Sequence, residues 1–327
     1  MDYTRRLGES QANYELRVLH GRRLGAILVP PDPTLPVLPT PTEEEVLALP
    51  ASLDLRQWCS PIKDQGSLGD CVGNCWSSGF EWLQKKLEPS VYFAGSRLAL
   101  YKWARDLDGT TGDVGTTDQS MNQIVTQTGV PHESLWPYDI SQFDVEPPAS
   151  VKTDAAKAKA TKTNTVQSSS GLYNEPTVAQ LKAALNTPLP VMYTFEVYDG
   201  FENATNNGGK IGMPSGTAIG GHCNLLVGYN DSLSNLDGST GAFITQNSWG
   251  TSWGDKGFGY MPYGYAGIDS GIAACYQVSA ESEISVSPAP TPTPGGETPV
   301  MYGPITATGG CNVNAMVRVR EFQPRVR

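Results

Sequence analysis

The chain has 327 residues, of which 39% are hydrophobic, and a formal net charge of −10. That hydrophobic content supports a sizeable core in one large or two ordinary domains. The acidic balance argues against nucleic-acid or anionic-membrane binding through the overall charge. No stretch reaches the ~20 apolar residues of a membrane helix, and the polar start "MDYTRRLGES" shows no secretory signal. Localisation is therefore left open between the cytoplasm and export by another route.

Residues 1–48 form a proline-rich N-terminal extension. Prolines recur between Pro30 and Pro41. Proline fixes φ and lacks a backbone donor, so this stretch predicts extended backbone rather than a helix or a central strand.

The first half of the remaining chain predicts helices. One begins near Cys71 after a glycine loop, and "SRLALYKWARDL" gives a second with Ser96 as its cap. A third, "DQSMNQIVTQTG", is expected to be capped by Asp118 and stopped by Gly129. In the fourth, "PTVAQLKAAL", Pro176 is expected in the first turn.

The second half predicts strands, from "VMYTFEV", "HCNLLVGY", "AFITQN", "GFGYM" and "IAACYQV". Helices followed by antiparallel strands indicate an α+β fold with two lobes and a cleft between them. Residues 285–299 then read as a Pro/Thr linker. Within the tail at 300–327, "NAMVRVREF" alternates like a strand, and it could either add to a sheet edge or bind a partner.

The cysteines suit catalysis better than metal binding. None forms a CxxC pair, and no Cys/His cluster completes a zinc site, so no metal or other cofactor is expected. Cys71 is predicted to open a helix, whose dipole lowers a thiol pKa. Cys75, one turn inside the helix, is interpreted as packing. The six cysteines are Cys59, Cys71, Cys75, Cys223, Cys275 and Cys311.

A nucleophilic cysteine needs a base, and the chain offers three histidines: His20, His132 and His222. His222 combines strand support with clearance from two preceding glycines. Asn247 ends a later strand and could accept the other ring N–H of the base, with Trp249 covering that hydrogen bond. Gln65 could place its amide beside the backbone N–H of Cys71.

The segments "DQGSLGDC", "GHCNLLVGYN" and "NSWGTSWGDKGFGYM" resemble the papain-like cysteine proteases, in order and spacing, over about residues 50–280. The resemblance suggests a divergent bacterial member. It implies a peptidase domain at 49–284, with a helical left lobe and an antiparallel, β-barrel-like right lobe. It also implies roles for four residues: Gln65 as oxyanion donor, Cys71 as nucleophile, His222 as base and Asn247 as orienting residue. Trp249 would be their aromatic shield.

The same resemblance implies a substrate site. Gly115 and Thr116 would form the edge along which a peptide lies. The pocket for the second residue upstream of the cut would be lined by Thr117, Asp118, Met192 and Cys223.

The chain also departs from the family pattern. Val72 replaces the aromatic residue that usually follows the nucleophile. Leu68 and Asp113 stand where the family has a disulfide, and Cys275 would be free or rewired. A different pairing among the cysteines other than Cys71 stays open.

The predicted function is hydrolysis of peptide bonds within peptide or protein substrates, as a cysteine endopeptidase. A catalytically idle binding module and an acyl transferase with the same triad are the alternatives. Residues 1–48 are either a disordered leader or, as we favour, a short pro-segment that occupies the cleft and blocks it.

Overall fold

The computed structural model describes residues 18–19, 21–169, 171–266, 268 and 271–281. His20, Cys311, the Pro/Thr linker and the C-terminal tail lie outside the described residues. So do the first 17 residues of the N-terminal extension.

The secondary structure changes from helices to strands along the chain. The helices are α1 (Glu43–Leu47), α2 (Cys71–Leu87), α3 (Arg97–Leu107), α4 (Asp118–Gln123), α5 (Ala149–Ala155), α6 (Val178–Leu185) and α7 (Asp199–Glu202). The strands are β1 (Val18–Leu19), β2 (Arg22–Arg23), β3 (Ser52–Asp54), β4 (Ala160–Thr165), β5 (Val191–Val197), β6 (Gly220–Ser234), β7 (Thr240–Gln246), β8 (Phe258–Pro262) and β9 (Cys275–Glu281).

The four predicted helices are present, although two of them begin differently from the prediction. α3 is capped by Ser96 as expected. The cap of α4 is Thr117 rather than Asp118, because the Thr117 hydroxyl accepts from the Ser120 amide at 3.0 Å. α6 is capped by Thr177, which leaves Pro176 ahead of the helix instead of in its first turn. Threonine forms these caps because its hydroxyl reaches the backbone amide three residues ahead.

The strands β3 to β9 form one seven-stranded sheet, and the pairs within it are antiparallel. Its order is β4-β9-β5-β6-β7-β8, with β3 paired to β6. Among the described strands the sheet stays open, so the right lobe does not close into a barrel. The two-lobe α+β prediction is confirmed. The sequence missed β4, because "ATKTNT" is too polar to show a strand pattern.

Helix α2 links the lobes because it packs against β5, β6 and β9. Its Trp76 ring lies 5.4 Å from the ring of Tyr276, and its indole N–H donates to Oδ1 of Asp118. Val72 is itself fully buried. An aromatic side chain at Trp76, one turn further along the helix, thus packs between the lobes while position 72 holds valine.

Part of the N-terminal extension is hydrogen-bonded to both lobes. We call residues 22–32 the strap. Within it Leu24, Ala26 and Val29 are buried. Beyond the strap, the Leu38 amide donates to the Thr165 carbonyl at 2.9 Å, which attaches the extension to the edge of β4.

Candidate active site

Cys71 is the first residue of α2 and is completely buried. Burial raises the pKa of its thiol to about 12, and hydrogen bonds from the backbone of Gly25 and Cys223 offset part of this rise. Gly25 belongs to the strap, while Cys223 directly follows His222. The thiol therefore lies between the strap and the strand of the histidine, and burial keeps it protonated.

His222 is held in one tautomer. Its Nε2 lies 2.8 Å from Oδ1 of Asn247. The same oxygen accepts the Ser248 amide at 2.7 Å, which fixes the orientation of the Asn247 side chain. A side-chain amide oxygen can only accept a hydrogen bond, so Nε2 of His222 carries the proton and Nδ1 keeps its lone pair. Nδ1 has no hydrogen-bond partner among the described residues. Burial lowers the pKa of His222 to about 4, against the hydrogen bond to Asn247.

Aromatic rings surround the imidazole of His222. The ring centroid of Trp249 lies 5.0 Å from it, and those of Phe195 and Phe201 lie 5.6 and 5.7 Å away. The sequence identified Trp249 but not the two phenylalanines. Phe195 pairs with His222 across β5 and β6. The pairing register of β5 with β6 was therefore the signal from which Phe195 could have been predicted to contact His222.

Gln65 joins the loop ahead of α2 to the loop after Asn247. Its Oε1 accepts from the Ser248 hydroxyl at 2.8 Å. Its Nε2 donates to the Leu68 carbonyl at 2.8 Å and to the carbonyl of Arg23, in the strap, at 3.0 Å. The Oε1 end of the side-chain amide is thus fixed by Ser248, and its Nε2 end faces the strap. A strap carbonyl occupies the donor predicted for the oxyanion.

The strap also covers the predicted substrate edge. The Thr116 amide donates to the Gly25 carbonyl at 2.9 Å, and the Ile27 amide donates to the Thr116 carbonyl at 3.0 Å, in the parallel sense. On the other wall the Ala26 amide donates to the Gly221 carbonyl at 3.1 Å. The strap is therefore hydrogen-bonded to both lobes.

Glycines make this close approach possible. A Cβ atom on Gly115 would lie 2.1 Å from the Gly25 carbonyl oxygen, and one on Gly221 would lie 2.0 Å from that of Ala26. Both distances are far below van der Waals contact. The cleft accepts a backbone at these points only because its walls carry no side chain there.

The residues predicted for the upstream pocket are buried near one another. The Cys223 thiol donates to Oδ1 of Asp118 at 3.6 Å. Burial raises the pKa of Asp118 to about 7, while hydrogen bonds from Trp76 and Cys223 act in the opposite direction. Met192 packs against Gly79 of α2. Their role in binding substrate stays a prediction.

The described part of the chain contains no group of three or more His, Cys, Asp or Glu side chains suited to hold a metal ion. None of its five cysteines is in a disulfide, and all five are buried. Cys275 is one of these free thiols. In the same residues no helix has the length and apolar character to cross a membrane.

The helical lobe packed against an open antiparallel sheet points to one class of protein. The chain belongs to the papain family of cysteine proteases, whose family profile matches residues 49–278. It is a peptide hydrolase of the thiol protease type, as the resemblance predicted.

Relatives and solved structures agree with this membership. An uncharacterized peptidase C1-like protein of Acanthamoeba polyphaga mimivirus is 29% identical over 67% of this chain and 69% of its own length. A cathepsin L-like proteinase of Fasciola hepatica is 27% identical over 67% of this chain, but the match spans only 62% of that proteinase. Xylellain, a cysteine protease from Xylella fastidiosa, has 26% identity and a TM-score of 0.63, with coverage of 80% of this chain and 98% of that structure.

Proposed function

We propose that the chain is a cysteine endopeptidase in which Cys71 is the nucleophile, His222 the base, Asn247 the orienting residue and Gln65 an oxyanion donor. The observation that carries this proposal is the tautomer of His222. With Nε2–H bound to Asn247, the ring presents an unpartnered Nδ1 lone pair on the strand that flanks the Cys71 thiol. That arrangement suits proton transfer from the thiol.

The reaction follows from these positions. His222 Nδ1 takes the Cys71 proton, and the thiolate attacks the scissile carbonyl carbon. The carbonyl electron pair moves to oxygen, where Nε2 of Gln65 and the backbone N–H of Cys71 donate to it. His222 returns the proton to the leaving amine as the C–N bond breaks. Water, deprotonated by Nδ1, then hydrolyses the thioester and regenerates the thiol.

We further propose that the strap is autoinhibitory. Its Arg23 carbonyl accepts the hydrogen bond that Gln65 would donate to the oxyanion. It also bonds both the backbone N–H and the C=O of Thr116, and it covers the buried thiol of Cys71. A substrate needs the same groups, so it must compete with a segment that is already attached to the protein. Such attachment gives the strap a high effective concentration.

The two alternative functions, an idle binding module and an acyl transferase, each require something different of the site. An idle binding module would need a catalytic position to be vacant, and all four positions are filled. An acyl transferase would use the same thioester but pass the acyl group to an amine instead of water. Mass spectrometry of products formed in the presence of an added amine separates hydrolysis from transfer.

The cysteine assignment predicts selective labelling. A peptide carrying a thiol-directed electrophile is expected to modify Cys71 and to leave Cys75 unmodified. Burial raises the pKa of both thiols, but Cys71 begins the helix beside the strand of the proposed base, whereas Cys75 lies one turn inside it. Mass spectrometry locates the adduct. Cys75→Ala serves as the control and should label normally. An adduct on Cys75, or no adduct on either cysteine, contradicts the assignment.

Strap closure is expected to weaken in acid. The Arg22 guanidinium of the strap lowers the pKa of Asp64. Asp64 therefore holds its proton less tightly when the strap is closed. Closure is strongest above the unperturbed value of about 3.9 for Asp and weakens as the pH falls through the lowered pKa. The raised pKa of Cys71 opposes closure only at alkaline pH.

Hydrogen exchange measures this release. The backbone amides of Ala26 and Ile27, which are bonded to both lobes, should lose protection between about pH 5 and about pH 3, below the unperturbed Asp pKa of about 3.9, after correction for intrinsic exchange rates. Amides in the centre of β6 are the internal reference. Equal strap protection at both pH values contradicts the expectation.

A further inference from the structure

Arg22 occupies a site built for a guanidinium group. Its two terminal nitrogens bind both oxygens of the Asp64 carboxylate. Nη2 also donates to the Trp249 carbonyl at 3.3 Å, and Nη1 to the Gly66 carbonyl at 3.5 Å. We call the Asp64 carboxylate and these two carbonyl oxygens the guanidinium cradle. A planar fork of N–H donors matches one carboxylate and two carbonyl oxygens better than an ammonium does.

The cradle is supported by its own loop. The Gly66 amide donates to Oδ1 of Asp64 at 2.8 Å, and the Gly250 amide donates to the carbonyl of Lys63 at 2.9 Å. The Lys63 ammonium is paired in turn with Glu81 of α2 at 2.7 Å. The carboxylate is therefore held in place by groups outside the strap, and it does not depend on Arg22 for its position.

The cradle is open to solvent. The side chain of Asp64 is 52% exposed even with Arg22 bound to it. Surface depressions extend on both sides of Arg22, one towards Tyr138 and Ile140, the other towards Trp249 and Trp253. When the strap leaves, a carboxylate faces solvent within the groove, where an incoming chain can reach it.

The position of the cradle identifies the part of a substrate that it meets. The strap passes Arg22 at the cradle, then the Arg23 carbonyl at Gln65, then Ala26 and Ile27 at Thr116. Extended backbone rises about 3.3 Å per residue, so the cradle and the Thr116 edge lie at opposite ends of the cleft, on either side of Gln65. If Thr116 holds the acyl part of a substrate, the cradle faces the leaving-group part.

We propose that the guanidinium cradle is a specificity site that selects peptides with arginine on the carboxyl-terminal side of the cleaved bond. The strap would then occupy this site with its own arginine, Arg22, and departure of the strap would make the site available to substrate. This inference rests on the proposed peptidase function, because it assigns a substrate class to the same cleft.

The test compares matched peptides on the full-length chain. Quenched fluorescent peptides carry arginine or citrulline at the first or second position after the cleaved bond, which mass spectrometry maps. Citrulline keeps the shape of arginine but loses its charge. We expect kcat/KM to be about three- to tenfold higher for arginine at one of these positions, the range of a partly exposed but multiply bonded ion pair.

Asp64→Asn is expected to bring this ratio to about one. The same substitution also weakens the hold on the strap, but strap closure reduces kcat/KM for both peptides by the same factor, so the ratio reports on the cradle alone. Arg23→Gln is the matched control. It removes the contact of Arg23 with Asp113, which also holds the strap, and leaves the cradle intact. This control should keep the arginine preference.

The outcomes separate the inference from the function beneath it. Equal cleavage of arginine and citrulline peptides, or a preference that survives in Asp64→Asn, contradicts the proposed arginine specificity. Neither result contradicts the proposed peptidase function. A chain that neither cleaves peptides nor labels at Cys71 overturns both. A preference present in the unmodified chain and in Arg23→Gln but lost in Asp64→Asn supports the proposal.

Discussion

Replacing His222 with alanine is expected to lower kcat for peptide hydrolysis by at least about a thousandfold. The imidazole is the group that takes the thiol proton and later protonates the leaving amine, and its Nδ1 is positioned for both steps by the bond from Nε2 to Asn247. Without it, the described residues offer the Cys71 thiol no other imidazole, because His132 is bonded to Asp154. Steady-state turnover of a quenched peptide measures the loss.

A second histidine provides the control for this prediction. His132 bonds Asp154 at 2.7 Å and stacks on Phe93, away from the cleft, with 43% of its side chain exposed. His132→Ala should retain turnover within a few-fold. Circular dichroism should show a cooperative unfolding transition for both variants, since a lost fold would also abolish activity. A His222→Ala chain that folds and keeps its turnover contradicts the proposed triad.

The catalytic residues could be identified from the sequence because each lies in a short, local pattern. Cys71 follows a glycine loop and opens a helix, His222 follows two glycines at the start of a strand, and Asn247 follows directly after the end of another. Such patterns depend on neighbours in the chain. The family resemblance then supplied the role of each residue, and the structure adds the 2.8 Å distance between His222 Nε2 and Asn247 Oδ1.

Features that depend on distant residues were harder to predict. Phe201 reaches His222 from the short helix α7, and the polar strand β4 forms because it pairs with β9. Backbone pairing can override a weak local pattern in this way. The α4 cap was assigned to Asp118 because it is a good capping residue. The hydroxyl of Thr117, one position earlier, makes the bond instead.

The strap illustrates the same limit. The prolines of the N-terminal extension, most of which follow the strap, predicted extended backbone, which is a local property. The sequence also suggested that residues 1–48 block the cleft. The alignment of the strap in the cleft could not be predicted, because that alignment is set by Gly69, Gly115 and Gly221, which come from three separate parts of the chain. Gly25 fits against Gly69 and Gly115, and Ala26 fits against Gly221, because these positions carry no side chains.

Gly25→Val is accordingly expected to raise kcat/KM by about tenfold. A Cβ atom at Gly25 would lie 1.8 Å from the Gly69 carbonyl oxygen, which is backbone and cannot move aside cheaply. Overpacking of this kind costs about 1–3 kcal/mol, and about 1.4 kcal/mol already shifts an equilibrium tenfold. The strap can escape the clash by leaving the cleft, which frees Gln65, Thr116 and the thiol together. Peptide turnover and the rate of Cys71 labelling should rise in parallel.

Pro33→Ala is the matched control, because Pro33 belongs to the same N-terminal segment but is exposed. It should leave both rates near those of the unmodified chain. A Gly25→Val chain whose turnover and labelling stay unchanged would mean that the strap opens freely without the substitution, so that closure does not limit activity. A rise in labelling without a rise in turnover would mean that the strap shields the thiol but does not compete with substrate. Only a joint increase, absent in Pro33→Ala, fits a strap that holds the Gln65 donor, the Thr116 edge and the nucleophile in one closed state.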